Sequence, residues 1–155
     1  AIDNLRSVNI ATVIASGNKG YSDSMGSPGC ISTAISVGAT TKADVVASYS
    51  NGVGFLNLLA PGSSINSSIP GNAYASWNGT SMATPHVAGA WAVLKGGKPS
   101  ATVTDVLNAL HDTGVDLVDS RNGLHFRRIN VNSALTALVP AGNRSLEWLF
   151  LLLLD

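Results

Sequence analysis

The chain has 155 residues, 45% of them hydrophobic and 12% charged, which suits one packed globular domain and excludes a disordered one. Nine basic and nine acidic side chains cancel to a formal net charge of zero, so no basic field exists to attract nucleic acid or an anionic membrane. One cysteine, Cys30, excludes a disulfide within this chain.

In chain order, Ile2, Leu5 and Val8 recur at helical spacing, and residues 9–15 then read as a buried strand. The first residues lack the basic, apolar and small-residue sections of a signal peptide and read like the middle of a domain. A Gly/Ser-rich loop fills residues 16–28. Strands are expected at 34–40 and at 55–60, the second closed by Pro61-Gly62, and a short one at 74–77. A helix is expected from about 84 to 95, stopped by Gly96-Gly97 with Pro99 beyond. Ser100 is positioned to cap the next helix, whose apolar stripe is Val103, Val106, Leu107 and Leu110 and which ends near Gly114. Strands alternating with helices imply an α/β domain with a largely parallel sheet. Residues 1–139 form that domain in this reading. Residues 140–155 are a tail whose apolar part, Ser145 to Leu154, is far shorter than the ~20 residues a membrane span needs.

The most informative run is Asn78-Gly79-Thr80-Ser81-Met82-Ala83-Thr84-Pro85-His86-Val87-Ala88-Gly89. It places a serine between a tight Gly-Thr turn and a small-residue segment able to start a helix. A catalytic serine needs that setting: its oxygen projects from a sharp turn, and N–H groups at the helix start face developing negative charge. Ser81 is the candidate nucleophile.

The run resembles the nucleophile motif of the subtilisin-like serine proteases across twelve consecutive positions. Three further blocks carry the same resemblance in the same order: Val13-Ile14-Ala15-Ser16-Gly17-Asn18, then Ser27-Pro28-Gly29 with Ala34-Ile35-Ser36-Val37-Gly38-Ala39-Thr40, then Ala47-Ser48-Tyr49-Ser50-Asn51 with Leu59-Ala60-Pro61-Gly62. The resemblance implies a three-layer α/β fold with a mostly parallel sheet, present as the C-terminal part of the catalytic domain. It implies a serine endopeptidase acting on protein or peptide substrates through an acyl-enzyme on Ser81. Amide hydrolysis passes through a tetrahedral oxyanion, so fixed donors must point at that oxygen. By resemblance these are the Asn18 carboxamide and the Ser81 backbone N–H, while Ser16, Gly17 and Gly26 line the pocket for the substrate residue before the scissile bond. Secretion is implied in the same way. No cofactor is required. Structural calcium is compatible with the family but is held largely by backbone carbonyls, which leave no sequence signature, and no His/Cys/Asp/Glu cluster has metal-ligand spacing.

A serine needs a base, itself oriented by a carboxylate. In the family both precede the serine, whereas His86, His111 and His125 all follow Ser81. His86, five positions on, is turned about ~140° from Ser81 on an ideal helix and reads as structural. Asp112-Thr113-Gly114 imitates the family's aspartate motif on the wrong side of the serine and reads as a helix end with Gly114 as the cap. The chain alone is therefore expected to be inactive, with sheet edges around 34–40 left uncovered by the missing N-terminal half. Two alternatives are a non-catalytic, peptide-binding pseudoprotease and an α/β-hydrolase using Asp116 or Asp119 with His125. The second requires G-x-S-x-G, which Ala83 breaks.

Overall fold

The computed structural model describes residues 1–139; the expected apolar tail lies outside the described residues. The elements in order are α1 (Ile2–Ser7), β1 (Val13–Ala15), β2 (Ile35–Thr40), β3 (Leu58–Pro61), β4 (Ile65–Ile69), β5 (Ala73–Trp77), α2 (Thr80–Gly97), α3 (Val103–Asp112), β6 (Val115–Val118), β7 (His125–Arg128) and α4 (Val131–Leu138).

The main sheet has the order β1-β2-β3-β7-β6. Its first three pairings are parallel, and only β6–β7 is antiparallel. Every residue of β2 is buried, as expected for an inner strand covered on both faces. Ile35, Val37 and Ala39 point to the face carrying the helices, where they join Val87 and Leu94 of α2 and Val106 and Leu110 of α3 in one core. Leu59 of β3 points the other way and packs with Leu56 and Phe126. The exposed sheet edge expected around residues 34–40 therefore falls instead on β1, whose three residues are half-buried.

Helix α2 begins at Thr80, four residues earlier than expected, and carries Pro85 inside it. Proline has no N–H, so the Ser81 carbonyl simply lacks its usual partner one turn on, a small defect this close to a helix start. The helix buries Ala83, Val87, Ala90, Trp91 and Leu94 and leaves Ser81, Pro85, His86, Ala88, Gly89 and Ala92 exposed. At its far end, Lys95 Nζ donates to the carbonyls of Pro99 and Ala101 at 2.6 and 2.7 Å. The cap of α3 is Thr102, not Ser100. Its hydroxyl accepts from the Asp105 N–H at 3.1 Å while the Asp105 carboxylate accepts from the Thr102 N–H at 2.8 Å. This reciprocal pair satisfies two amides that a helix start otherwise leaves bare. Helix α3 ends at Asp112 with Thr113 as its cap and Gly114 one residue beyond, so the Asp-Thr-Gly sequence is indeed a helix end, capped by a different residue.

Strand β5 pairs antiparallel with β4 in a separate two-stranded ribbon that stands next to the start of α2.

Candidate active site

Ser81 lies in the first turn of α2, after Gly79. The turn is held in place from below by Gly62, whose carbonyl accepts from the Gly79 N–H at 2.8 Å and from the Tyr49 hydroxyl at 2.8 Å. Gly62 allows this approach because it has no side chain: a Cβ there would stand 2.6 Å from Ala39 Cβ and 2.7 Å from the Gly79 carbonyl oxygen. Asn78 is tied as well, its Oδ1 accepting from the Ser64 N–H at 2.6 Å.

Asn18 reaches the same turn from the end of β1. Its Oδ1 accepts from both the N–H and the hydroxyl of Thr80, at 2.8 and 2.9 Å. The Thr80 hydroxyl in turn accepts from the Gly17 N–H at 3.3 Å. With its oxygen held twice, the Asn18 carboxamide is left with Nδ2 as a donor. The first-turn amides sort themselves in the same way: Thr80 donates to Asn18, while Met82 and Ala83 donate to the Gly79 carbonyl. The Ser81 N–H has no acceptor among the described residues. Both donors border one small volume, since the Cβ position at Gly79 is 3.3 Å from Asn18 Nδ2 and 3.7 Å from the Ser81 nitrogen. Two unpaired N–H groups beside a serine hydroxyl can bind an oxygen that is becoming negative.

Ser16, Gly17 and Gly26 are brought together. The Gly26 N–H donates to the Ser16 carbonyl at 3.0 Å, and a Cβ on Gly17 would lie 3.8 Å from the Gly26 nitrogen. Ser16 is fully buried: its hydroxyl donates to the Asn51 carbonyl at 2.9 Å, its N–H donates to Val37 and its carbonyl accepts from Gly26 and Asn51, so it supports Gly17 and Gly26 from behind, without surface of its own facing a pocket. Gly17 has φ +106°, and a Cβ there would strike Asn51 Nδ2 at 2.5 Å, so any side chain is strained and must displace the buried Asn51 amide.

The serine opens onto a cavity of about 360 Å³ lined by Ser81, Met82, Pro85 and His86 of α2 and by residues 65–67 of β4. His86 thus faces the same space as Ser81, contrary to the expectation that the helix turns it away. Its Nδ1 donates to the Met82 carbonyl at 2.8 Å, which ties the ring to its own helix. The Asp–His pairing needed by the hydrolase alternative also exists, with His125 Nδ1 2.7 Å from Asp116 Oδ2, but neither residue lines the Ser81 cavity. Asp119 is committed to Arg121 at 2.6 Å. No group of three or more His, Cys, Asp or Glu side chains suited to a metal occurs among the described residues.

The profile of the Subtilase family matches residues 1–134. The chain belongs to the subtilase family. It is 43% identical over 117 residues to subtilisin BL of Lederbergia lenta, covering 76% of this chain and 43% of that protein. It is 40% identical to alkaline elastase YaB of a Bacillus strain, covering 76% of this chain and 31% of the elastase. Among solved structures, a protease from Pseudoalteromonas arctica superposes with a TM-score of 0.79 at 28% identity, over 88% of this chain and 45% of that one. The prenylagaramide maturation protease PagA shares the fold, with a TM-score of 0.78 at 24% identity over 89% and 54%. The fold is subtilisin-like, and the chain spans less than half the length of the sequence relatives it matches. No helix among the described residues is long and apolar enough to cross a membrane.

Three subtilase residues without a role in the sequence reading organise this site. Thr80 orients Asn18. Asn51, 2% exposed, holds the loop after Asn18 from inside: its Oδ1 accepts from the Lys19 and Tyr21 N–H groups at 2.9 and 3.1 Å, and its Nδ2 donates to the Ser16 carbonyl at 3.1 Å. Tyr49 fixes Gly62. Thr80 and Asn51 sit inside motif blocks, but a hydroxyl or amide that bonds backbone across the fold has no periodicity or spacing to betray it.

Proposed function

We propose that this chain carries the nucleophile and the oxyanion donors of a secreted serine endopeptidase. Ser81 Oγ attacks the carbonyl carbon of a peptide bond in a protein or peptide substrate. Its proton passes to a histidine base, and the oxyanion is held by Asn18 Nδ2 and the Ser81 N–H. Collapse expels the amine and leaves an ester on Ser81, which water then hydrolyses. Gly17 and Gly26 border the pocket for the residue before the scissile bond, with the buried Ser16 behind them. The observation that carries this reading is the placement of both unpaired donors beside the Ser81 turn.

The base and its carboxylate belong to sequence outside this chain. His111 and His125 do not line the Ser81 cavity, and His86, which does, gives its Nδ1 to a carbonyl of its own helix where a triad histidine has a carboxylate. The N-terminal half of the domain is thus the chain's first partner. The test uses the full-length protein. A fluorophosphonate probe is expected to label it, and Ser81→Ala is expected to abolish labelling; labelling that persists at another serine overturns the assignment. Asn18→Ala is expected to lower kcat by about 10²–10³ with KM little changed, the loss measured on removing such a donor from a subtilisin. Residues 1–155 alone are expected to show no Ser81-dependent turnover of a peptide amide, and enzyme-like rates there would place the base within this chain.

A further inference from the structure

We propose that Arg121, held by Asp119 in the turn between β6 and β7, positions the loop that presents Asn18. The inference rests on the oxyanion role given to Asn18 above. Asp119 is 1% exposed, and its carboxylate takes three donors from one residue: the Arg121 N–H at 3.0 Å, Nε at 2.9 Å and Nη2 at 2.6 Å. This fork leaves Nη1 pointing away from the carboxylate. Nη1 donates to the carbonyls of Gly20, Ser48 and Ser50 at 3.2, 3.0 and 2.8 Å. The next residue, Asn122, donates from Nδ2 to the Ser22 carbonyl at 2.5 Å.

The turn therefore grips the Asn18 loop at Gly20 and Ser22, from about 100 residues away in sequence. It also grips the segment just before Asn51, the residue that holds the same loop from inside. The loop between β1 and β2 has no strand or helix of its own through residues 16–34. Backbone bonds join it to residues 49–52, from Gly20 N–H to Tyr49, Asn51 N–H to Gly17 and Gly52 N–H to Tyr21, and the Arg121 and Asn122 side chains tie that joined unit to the β6–β7 turn. Guanidinium geometry suits this task. A planar fork can pair both carboxylate oxygens and still present a charged N–H to carbonyls on the opposite side, whereas an ammonium is a single point that cannot span both. A misplacement of about 1 Å can cost about a hundredfold in rate, so loop height translates into turnover.

The experiment is a double-mutant cycle in the full-length protease, with Arg121→Met and Asn18→Ala. Arg121→Met is expected to lower kcat roughly ten- to hundredfold with KM nearly unchanged, the scale of a small misplacement from a distant change. In the Asn18→Ala background the further loss should shrink to about threefold or less, because the group being positioned is already gone. Equal losses in both backgrounds, or no loss in either, overturn the proposal. Amide exchange at Lys19 and Tyr21 gives a readout free of catalysis: it should quicken in Arg121→Met, and unchanged exchange overturns the clamp. If Asn18→Ala alone leaves kcat intact, it is the oxyanion reading that fails, and exchange still decides whether Arg121 holds the loop. Should Arg121→Met not fold, Arg121→Lys serves in the same cycle, with an intermediate kcat loss expected and wild-type kcat and exchange overturning the proposal.

Discussion

A methyl group at Gly62 has nowhere to go. Its neighbours would be Ala39 Cβ at 2.6 Å, the Gly79 carbonyl oxygen at 2.7 Å and Ala83 Cβ at 3.3 Å, none of them the free end of a flexible side chain. Relief has to come from moving the turn that carries Ser81, since β2 is locked on both sides. Gly62→Ala is therefore expected to lower stability by about 1–3 kcal/mol, as overpacking does, and to slow fluorophosphonate labelling of Ser81 in the full-length protein. Urea unfolding and labelling rates check it, and wild-type values for both would show that the turn has slack. At this scale the sequence points to residues whose proposed chemistry demands one residue type, and the fold brings two of them, Ser81 and Asn18, to one turn. The sequence was not legible where a residue serves by what it touches. Thr80, Asn51 and Arg121 bond to atoms 62, 30 to 35 and 71 to 101 positions away, distances at which no local pattern survives.

Helix α3 separates two readings of one segment. Ser100 looks like a cap from sequence, yet the capping box belongs to Thr102 and Asp105, and Ser100 is exposed. Thr102→Ala is expected to destabilise the protein by about 1 kcal/mol, while Ser100→Ala should stay within ±0.5 kcal/mol. Comparing their urea midpoints decides the matter, and a larger shift at Ser100 would reverse the assignment. Elements with a strong apolar signature were readable: the runs that became β2 and β3, and the stripe of α3. Those that escaped have composition working against them. Strand β4 is Ile-Asn-Ser-Ser-Ile, with three exposed positions, and it holds through backbone pairing with β5. Strands β6 and β7 are four residues each, and β7 reads His-Phe-Arg-Arg with only Phe126 buried. Strand β1 is three residues long because residues 9–11 lead into the sheet without pairing along it, while Thr12 gives only its carbonyl, which accepts from the Ile35 N–H at 2.8 Å.

Across the whole molecule, one side is closed and the other is bare. The helices α2, α3 and α4 share a core over one face of the sheet, while the outer face of α2 and the free edge of β1 are uncovered among the described residues. Ile10 and Val8, 51% and 65% exposed, lie beside that edge. Beside Phe126, on the sheet face opposite the helices, the Asp119–Arg121 pair ties the β6–β7 turn to two loops from the first third of the chain, so it bears on global stability as well as on the site. The Arg121 hydrogen bonds hold the Asp119 carboxyl below the ordinary carboxylate range, outweighing the opposing effect of burial. Between that lowered value and the unfolded one of about 3.9, the unfolded chain binds more protons, so stability rises with pH across this window. The contribution is complete above the unfolded value and disappears as pH falls through the folded one. Asp105 and Asp116 are shifted the same way, by Thr102 and by His125, but both are unchanged in Asp119→Asn and cancel in the comparison. The stability gap between wild type and Asp119→Asn is therefore expected to be widest near neutral pH and to narrow below about pH 4. Chemical unfolding of both proteins across that range measures it. A gap that stays constant into strong acid would mean that the carboxylate's charge contributes nothing and that only the shape of the turn matters.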